Sequence, residues 1–481
     1  MKKLFIIISF IAYFSSSCQK QLELSPISSI SANSFWKTEN DARGAMFGLY
    51  NCMRSALGNY NYLFWGEFRN GYWESGSAGA ITEWVNIWDN NLDPITAGTN
   101  WSGLYQVIND ANLILKYVPN IPFTNEQERA EILGHAYFMR AFSYFYVVRI
   151  WGDAPISTTP FESADQDLYL SRRPVTEIYQ LLKADIDKAG DMLPSASANF
   201  LANKSTANIL KADIYVWLAK IGGGGEAELQ VANQALNNVL SAEYQFSDSY
   251  LDVFRNNDNK EIIFSIFYNE IEGGTNYSDT FIPTTTDVPA TLRDIVPYKP
   301  SPNRARFNQE FVTQTLNQAP GDSRTAVIWQ EIPLANGLAL KWINKYIGKD
   351  VAGVRMLVDN VRIYRLADVI LFKAEVENAL HHPTEAINWI NKIARRAYGQ
   401  DNYYPTSLNE DQVNTAILKE RMIEFAAEGK TWFDIVRFGK AFTLIPSLQG
   451  RENEHEGHIL YFPVAQDVIS RNVNIKQTKG Y

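Results

Sequence analysis

Residues 361–398 read VRIYRLADVILFKAEVENALHHPTEAINWINKIARRAY, and this stretch decides the fold. Small residues recur on aligned faces of its two halves, with Ala367 and Ala374 in the first and Ala386 and Ala394 in the second. Apolar residues follow the three- and four-residue spacing of a helix in both halves. The pattern predicts two helices, 361–380 and 383–398, joined by a short turn and packed through their small residues.

Helical periodicity dominates most of the remaining chain. Thr38 and Asp41 form a capping pair for a predicted helix over 38–53. The same spacing predicts helices over 104–118, 127–151, 175–193, 206–221, 226–240 and 409–428. Since neighbouring helices pair through short turns, we expect an all-α scaffold of tetratricopeptide-like helical hairpins with long irregular loops. Strand content should be minor, with residues 261–267 as the predicted strand.

Two long segments interrupt this scaffold, residues 58–99 and residues 247–353. Both are rich in Gly, Asn, Thr, Pro and aromatic residues, and neither has sustained periodicity. Long ordered loops in a compact domain usually carry function. We expect one domain over about residues 34–481, with its scaffold at about 34–57, 100–246 and 354–481 and its variable binding loops at about 58–99 and 247–353.

The N-terminus predicts export. Two lysines precede an apolar run over residues 4–14, and three serines then lead to Cys18. This is the pattern of a secretory signal, predicted over residues 1–17. A Cys directly after small residues resembles a bacterial lipobox, which makes Cys18 the predicted lipidation site and residues 18–33 a lipid-anchored linker. An ordinary signal cut near Ser17 is the alternative.

The charge balance argues against nucleic acid as a partner. The formal net charge is −9, and removal of Lys2 and Lys3 with the signal takes it to −11. Nucleic-acid binding needs clustered positive charge, which this composition does not offer.

Two motifs superficially resemble metal sites. In HEGH at residues 455–458 the two His are three apart where a zinc protease has four, and the Gly disfavours the helix that would aim both at one ion. Residues 89–93 have calcium-loop spacing, but Pro94 stands where an EF-hand requires Gly. We therefore expect no EF-hand, no metal site and no cofactor, with an irregular ion site near residues 89–93 left open.

A row of carboxylates is the best candidate for catalytic chemistry. Glu420, Glu424 and Glu428 share one predicted helix face and could supply a general acid and base. Basic residues at 421, 430 and 437 favour the other interpretation, a buried ion network. Because the chain also has no nucleophile elbow and no metal box, we predict a protein that is not an enzyme, with a hydrolase as the disfavoured alternative.

Motifs spread from residue 34 to residue 481 resemble the SusD/RagB-like outer-membrane lipoproteins. They are SFWKTENDA at 34–42, GLYN at 48–51, GHAYFMRA at 134–141, YFY at 144–146, GDAPI at 152–156, YRLADVIL at 364–371, AE at 374–375, KER at 419–421, EG at 428–429, WFDIVR at 432–437, FPVA at 462–465 and GY at 480–481. The resemblance implies a helical fold with four tetratricopeptide-like units. It also implies a TonB-dependent (SusC-like) outer-membrane transporter as partner, a captured oligosaccharide or peptide, and a lipid-anchored, surface-facing position on the outer membrane.

The first loop segment carries the candidate ligand site. Five of the twelve Trp residues lie between residues 65 and 101. Sugar rings stack on indoles, and their hydroxyls need planar polar groups. Trp73, flanked by Gly71 and Gly76, is the predicted exposed stacking residue, whereas Trp84 and Trp88 fit a platform and a buried helix equally well. The polar candidates beside them are Arg69, Asn70, Glu74 and Asn90.

The second loop segment adds Tyr298 and Arg304 as candidates that could face either the ligand or the transporter. The sequence thus predicts a glycan-binding lipoprotein, with peptide capture as the alternative within the same binding class. A structural surface or adhesion protein is a further alternative from another class.

Overall fold

The structure is a computed structural model that describes residues 35–79, 81–272 and 277–481. The predicted signal peptide, Cys18 and the linker lie outside these residues. The principal helices are α1 Glu39–Leu57, α2 Asn61–Gly66, α3 Thr82–Trp88, α4 Ser102–Tyr117, α5 Glu126–Trp151, α6 Val175–Met192, α7 Lys204–Lys220, α8 Glu226–Leu240, α9 Leu366–Ala379, α10 Pro383–Tyr398, α11 Glu410–Glu424, α12 Thr431–Arg437 and α13 Gln466–Arg471.

Successive helices from α4 to α11 pack on one another in chain order, as the helical-hairpin prediction requires. The predicted small-residue contact between α9 and α10 is confirmed, since Ala367, Ala374, Ala386 and Ala394 are fully buried. Thr38 caps α1 with Asp41 in a reciprocal capping box, as predicted. None of the described helices is long and apolar enough to cross a bilayer.

Short strands hold the two long loop segments to the scaffold. They are β1 Trp73–Ser75, β2 Ile262–Ile266, β3 Ala305–Phe307, β4 Trp329–Pro333, β5 Ala339–Ile343, β6 Lys349–Val351, β7 Val354–Met356 and β8 Val361–Arg365. They form four antiparallel pairs: β1 with β3, β2 with β8, β4 with β5, and β6 with β7. The predicted strand at 261–267 is confirmed as β2.

The prediction of one continuous helix over 361–380 is wrong at its start. Residues Val361–Arg365 form β8, which pairs with β2 so that Ile266 faces Val361 and Ile262 faces Arg365. All five β8 residues are buried, Arg362 and Arg365 included, so the strand lacks the exposed polar face that marks a half-buried strand. Similarly, the predicted helix over 409–428 ends at Glu424, because Ala427 and Gly429 adopt the left-handed conformation at φ 61° and 67°.

The second loop segment, together with Leu357 just beyond it, also builds a small apolar cluster beside the main core. It consists of Ile282, Val288, Val296, Leu340, Trp342 and Leu357. The remaining aromatic residues of both segments mostly join the main core, which therefore extends through the scaffold into the loops.

Candidate functional site

A cleft opens where the C-terminal end of α1 meets the end of β2. Its inner part is a cavity of about 130 Å³. Both loop segments contribute to it, and its walls are Leu57, Gly58, Asn59, Tyr60, Tyr62, Ile266, Tyr268, Tyr277, Asp279 and Val361. We call this the α1–β2 cleft. The structure thus brings Tyr60 together with Tyr268 and Tyr277, which lie more than 200 residues further along the sequence.

The turn after α1 is strained at the mouth of this cleft. Asn59 and Tyr60 both adopt positive φ values, 50° and 65°. Asn tolerates this region, but an aromatic residue there costs about 1–2 kcal/mol. The surrounding contacts hold Tyr60 in place: its hydroxyl donates to Asp279 at 2.9 Å, and its ring meets Trp84 edge to face at 4.9 Å. Backbone strain that the fold holds in place is a common property of functional sites.

Asp279 is the acidic group of the cleft. Burial raises the pKa of its carboxyl, whereas the Lys299 ammonium 4.0 Å away and the Tyr60 hydroxyl lower it. Burial also raises the pKa of Tyr60, as does Asp279, while the positive charge of Arg304 opposes the rise. The cleft mouth therefore combines a phenol and a carboxylate with two cationic side chains in a half-buried setting where hydrogen bonds to a ligand are strengthened.

A second cavity of about 280 Å³ adjoins the first through Ile266. Arg54 stands between them: its guanidinium lies over the Tyr268 ring at 5.8 Å and donates to the Phe267 carbonyl at 3.1 Å. Glu272 pairs with the same guanidinium. The outer wall carries Phe47, whose side chain is 54% exposed, so the second cavity offers an apolar face to solvent.

The prediction that Trp73 is an exposed stacking residue is wrong. Trp73 is only 6% exposed. It lies in β1, directly opposite Phe307 of β3, and packs on Phe68, Phe281 and Phe307 with ring centroids 4.8, 5.4 and 5.0 Å away. Its flanking glycines suggested an open loop, but the strand pairing turns the indole into the core.

Of the two interpretations for Trp84 and Trp88, the structure favours the buried helix. They are 3% and 7% exposed and pack on Phe68 from one side of α3. A sugar platform is therefore wrong for both. Trp84 nevertheless supports the cleft, because its indole is the surface against which the Tyr60 ring rests.

Three of the polar candidates beside Trp73 are structural as well. Arg69 is fully buried, where it donates to the Ile459 and Leu460 carbonyls at 2.6 and 2.8 Å and to Asn90 at 2.8 Å. Burial lowers the pKa of Arg69 to about 10. Asn70 accepts from the Tyr72 amide at 3.0 Å. Because these side chains are buried and engaged within the chain, the prediction that Arg69, Asn70 and Asn90 contact ligand is wrong.

The other three candidates stay predictions, since their side chains are half-exposed. Glu74 pairs with Arg306 at 2.7 Å across β1 and β3. Tyr298 lies against the small apolar cluster beneath the Arg293 guanidinium. Arg304 donates to the Ala78 and Gly79 carbonyls, and its positive charge lowers the pKa of Tyr60 in the α1–β2 cleft against the larger rise caused by burial.

The carboxylate row is a buried ion network, as the preferred interpretation predicts. Glu420, Glu424 and Glu428 are fully buried. Their main cationic partners come from distant segments: Arg324 reaches Glu420 at 2.7 Å, and Arg365 reaches Glu424 at 2.6 Å and Glu428 at 2.9 Å. Burial alone would raise the pKa of Glu428, but Arg365 and Lys345 lower it to about 2. Such carboxylates are locked in their charged form and make poor proton donors.

The basic residues at 421, 430 and 437 were predicted as the partners of this row, and that is wrong for Arg421 and Arg437, which pair with Asp434 and Glu375 at 2.9 Å each. Lys430 does reach Glu428, at 3.9 Å, although its shorter pair is with Asp368 at 2.7 Å. Helix periodicity could not reveal this, because the pairing depends on the approach of other elements to α11.

Neither sequence motif builds a metal centre within the described residues, where no group of three potential protein ligands is found. His455 stacks on Tyr481 at 3.8 Å and contacts the Gly480 carbonyl through Nδ1. Asp93 accepts from the Ile95 amide and the Thr96 hydroxyl in a local turn.

Sequence reasoning missed Asn59, Asp279, Tyr268 and Arg54 as site residues. Asn59 follows Gly58 at a helix end, and such a Gly-Asn pair signals a turn but not its neighbours. The others acquire a shared location only through the packing of β2 against α1.

Comparisons with known proteins cover almost all of the chain. The sequence model described as the SusD family matches residues 241–481, and one described as "Starch-binding associating with outer membrane" matches residues 66–216. A SusD-like protein of Formosa agariphila is 29% identical over 90% of this chain and 91% of its own length. A SusD-like protein of Bacteroides ovatus is 25% identical over 74% of this chain and 67% of its own length.

Solved structures are similar over the same extent. A SusD superfamily protein of Bacteroides fragilis is 25% identical, with a TM-score of 0.81 over 93% of this chain and 100% of its own. NanU of B. fragilis is 24% identical, with a TM-score of 0.79 over 95% of this chain and 100% of its own. The helical-hairpin fold is thus shared with these proteins.

Proposed function

The chain belongs to the SusD family, and from that premise we propose that it is a lipoprotein that captures an oligosaccharide at the outer membrane and passes it to a TonB-dependent, SusC-like transporter. The family as a whole comprises nutrient-binding outer-membrane proteins that work with such transporters. The finer parts of the proposal are the glycan, the acylation of Cys18, the surface-facing position and the absence of catalysis.

The observation that carries the proposal is the α1–β2 cleft. It joins tyrosine rings, a carboxylate, an exposed Asn amide and cationic side chains at a strained turn. Rings offer apolar faces to sugar C–H groups, and the planar polar groups match sugar hydroxyls. The two adjoining cavities are small, about 130 and 280 Å³, which suits a ligand that is bound modestly and released to a transporter.

Non-catalytic binding fits the electrostatics of the chain. In the carboxylate row, buried Arg and Lys partners hold the pKa of Glu424 and Glu428 well below the usual range, so these two carboxylates are poorly suited to act as a general acid near neutral pH. Asp279 faces cations and a phenol instead of a second carboxylate. A glycosidase would need two carboxyl groups on either side of the bond to be broken.

Peptide capture is the second candidate, and one observation favours it. Trp73, Trp84 and Trp88 are buried, so the wide indole platform on which the glycan prediction first rested is not available to a ligand. A narrow cleft with polar ends would also accept the backbone and termini of a short peptide.

The test is isothermal calorimetry of the acyl-free mature chain against a panel of neutral and acidic oligosaccharides and a panel of short peptides. The informative variant is Asn59→Gly, because Gly accepts the φ of 50° and only the side-chain amide is lost. We expect at least a fivefold loss of affinity for the oligosaccharide that binds.

The matched control is Asn402→Gly, which removes another exposed Asn side chain at a φ of 57° outside the cleft. It should bind like the parent chain. Binding of peptides and of no oligosaccharide would transfer the proposal to peptide capture. Equal affinity of the Asn59→Gly variant and the parent would remove the α1–β2 cleft from the binding site.

For the anchor, mass spectrometry of the membrane-purified protein should find a diacylglycerol-modified Cys18 at the mature N-terminus, and a Cys18→Ala chain should leave the membrane fraction. An unmodified chain cut near Ser17 would contradict the lipoprotein assignment.

A further inference from the structure

A cavity larger than the two at the α1–β2 cleft lies away from them, on the outer face of α11. It has a volume of about 900 Å³. Three segments line it: the end of α7, the length of α11, and residues 437–444, which begin at the last residue of α12. We call it the α11 groove. Its size is within the range in which proteins bind ligands or peptide segments.

One face of α11 forms the floor of the groove. The residues that line it follow the spacing of a single helix stripe: Asp411, Asn414, Thr415, Leu418, Lys419 and Met422. At a rise of 1.5 Å per residue this stripe is about 16 Å long, or three helical turns. In a stack of helical hairpins, each helix face is normally covered by the next helix, and an end face needs another cover.

The groove has an apolar centre. Leu418 is buried, Met422 and Phe438 are half-buried, and Leu444 remains 46% exposed. Ile221 at the end of α7 is 36% exposed and closes the row. A concave surface with five apolar side chains is typical of grooves that bind the apolar stripe of an amphipathic helix.

The rim of the groove is basic on a protein whose net charge is negative. Lys419 is half-buried and Lys440 is exposed, and neither has an ion-pair partner within the part of the chain that the structure describes. Lys220 and Arg437 at the back are already neutralised by Glu375, at 2.8 and 2.9 Å. The single acidic residue of the lining is Asp411, at the far end. The two free ammonium groups thus favour carboxylates on an occupant.

We infer that the α11 groove docks an acidic amphipathic helix of about three turns, supplied by a protein partner. The apolar stripe of that helix packs on Leu418, Met422, Phe438 and Leu444, and its carboxylates pair with Lys419 and Lys440. The inference is independent of the captured nutrient, since the groove and the α1–β2 cleft have no lining residue in common.

The binding test uses a fluorescein-labelled synthetic helix of about 12 residues, with Leu on one face and Glu on its flanks, and follows fluorescence anisotropy at low and moderate salt. A second peptide carries Lys in place of each Glu. We expect saturable binding of the Glu peptide that weakens with salt, and at least tenfold weaker binding of the Lys peptide.

The informative variant is Lys419→Glu/Lys440→Glu. Its matched control is Lys476→Glu/Lys479→Glu, which makes the same charge change at two exposed lysines outside the groove. The groove variant should lose at least tenfold in affinity for the Glu peptide, while the control variant stays within twofold of the parent.

Hydrogen exchange locates the peptide. Added Glu peptide should slow exchange of amides within residues 411–422 and 437–444. No saturable binding, equal binding of the two peptides, equal loss in both variants, or protection only elsewhere would each overturn the inference. A dimer in sedimentation velocity that the groove variant abolishes would assign the groove to a second copy of this chain and would also overturn it.

Discussion

Replacing Trp73 with Ala separates a structural role for this residue from a ligand-binding role. The indole is 6% exposed and is enclosed by Phe68, Phe281 and Phe307. A buried Trp removes about 150–250 Å² from water, worth about 4–6 kcal/mol at 25 cal/mol per Å². Truncation of a core Trp to Ala typically costs about 3–5 kcal/mol, and we expect about 4 kcal/mol here.

The milder change Trp73→Phe tests the same packing. It keeps a ring against the three Phe side chains and removes the indole N–H, which has no hydrogen-bond partner among the described residues. Because removing the unpaired N–H is favourable, it offsets part of the packing lost with the indole. The free energy of unfolding should therefore fall by less than about 1.5 kcal/mol. The reference substitution is Trp389→Ala on α10, where the half-buried indole lies beneath the Lys392 ammonium and should contribute about 1 kcal/mol or less.

The assay is urea unfolding of the acyl-free mature chain, followed by circular dichroism, with calorimetry of ligand binding on the folded variants. Trp73→Ala should unfold at a markedly lower urea concentration and should bind the ligand normally wherever it is folded. A loss below about 1 kcal/mol together with abolished ligand binding would refute the reasoning, because it would mean that a ligand reaches the indole.

Three further changes have outcomes that follow from single contacts. Burial raises the pKa of Glu67 from 4.5 to about 7. The folded state therefore holds this proton more tightly than the unfolded state, and the free energy of unfolding should fall by about 3 kcal/mol as pH rises from about 4.5 through 7. Glu67→Gln should abolish this pH dependence, as measured by urea titrations at about pH 5 and pH 8. Arg365→Met leaves Glu424 and its neighbouring buried carboxylates without their shared cation and should cost about 3–5 kcal/mol in the same assay; a loss below about 1 kcal/mol would show that the remaining cations suffice. Gly66→Ala places a Cβ 1.8 Å from the Gly429 carbonyl oxygen, so little folded protein should be recovered by size-exclusion chromatography, whereas Gly44→Ala on the open face of α1 should behave like the parent.

Much of the fold could be predicted because a helix leaves a recognisable pattern in residues that are close together in the sequence. The spacing of apolar residues along α1 and α10 depends only on which helix face is buried, and the capping pair of Thr38 with Asp41 depends only on neighbours three apart. Residues 361–365 were predicted wrongly because all five are buried, the two arginines included, and their pairing with β2 is a contact between distant segments that local spacing does not reveal.

The candidate site was predicted less well, because exposure is a property of the packed molecule. A Trp between two glycines suggests an open loop, yet pairing of β1 with β3 buries Trp73 opposite Phe307. The prediction was useful at the level of the two loop segments and not at the level of single residues. Both irregular segments do contribute walls to the α1–β2 cleft, although the residues that line it are mostly others.

By itself, the sequence determined the helical scaffold and, through motifs spread from residue 34 to residue 481, the family to which the chain belongs. It also indicated that the carboxylate row is buried. The scaffold follows from local periodicity, the burial of the carboxylate row from the charged residues placed among apolar ones, and the family membership from the motifs alone. Only the tertiary structure decided which cations neutralise that row, which aromatic rings reach solvent, and that Asn59, Tyr60 and Asp279 meet at one cleft. The physical reason is that these contacts join residues up to about 220 positions apart, and no local pattern encodes the approach of segments that only the completed core brings together.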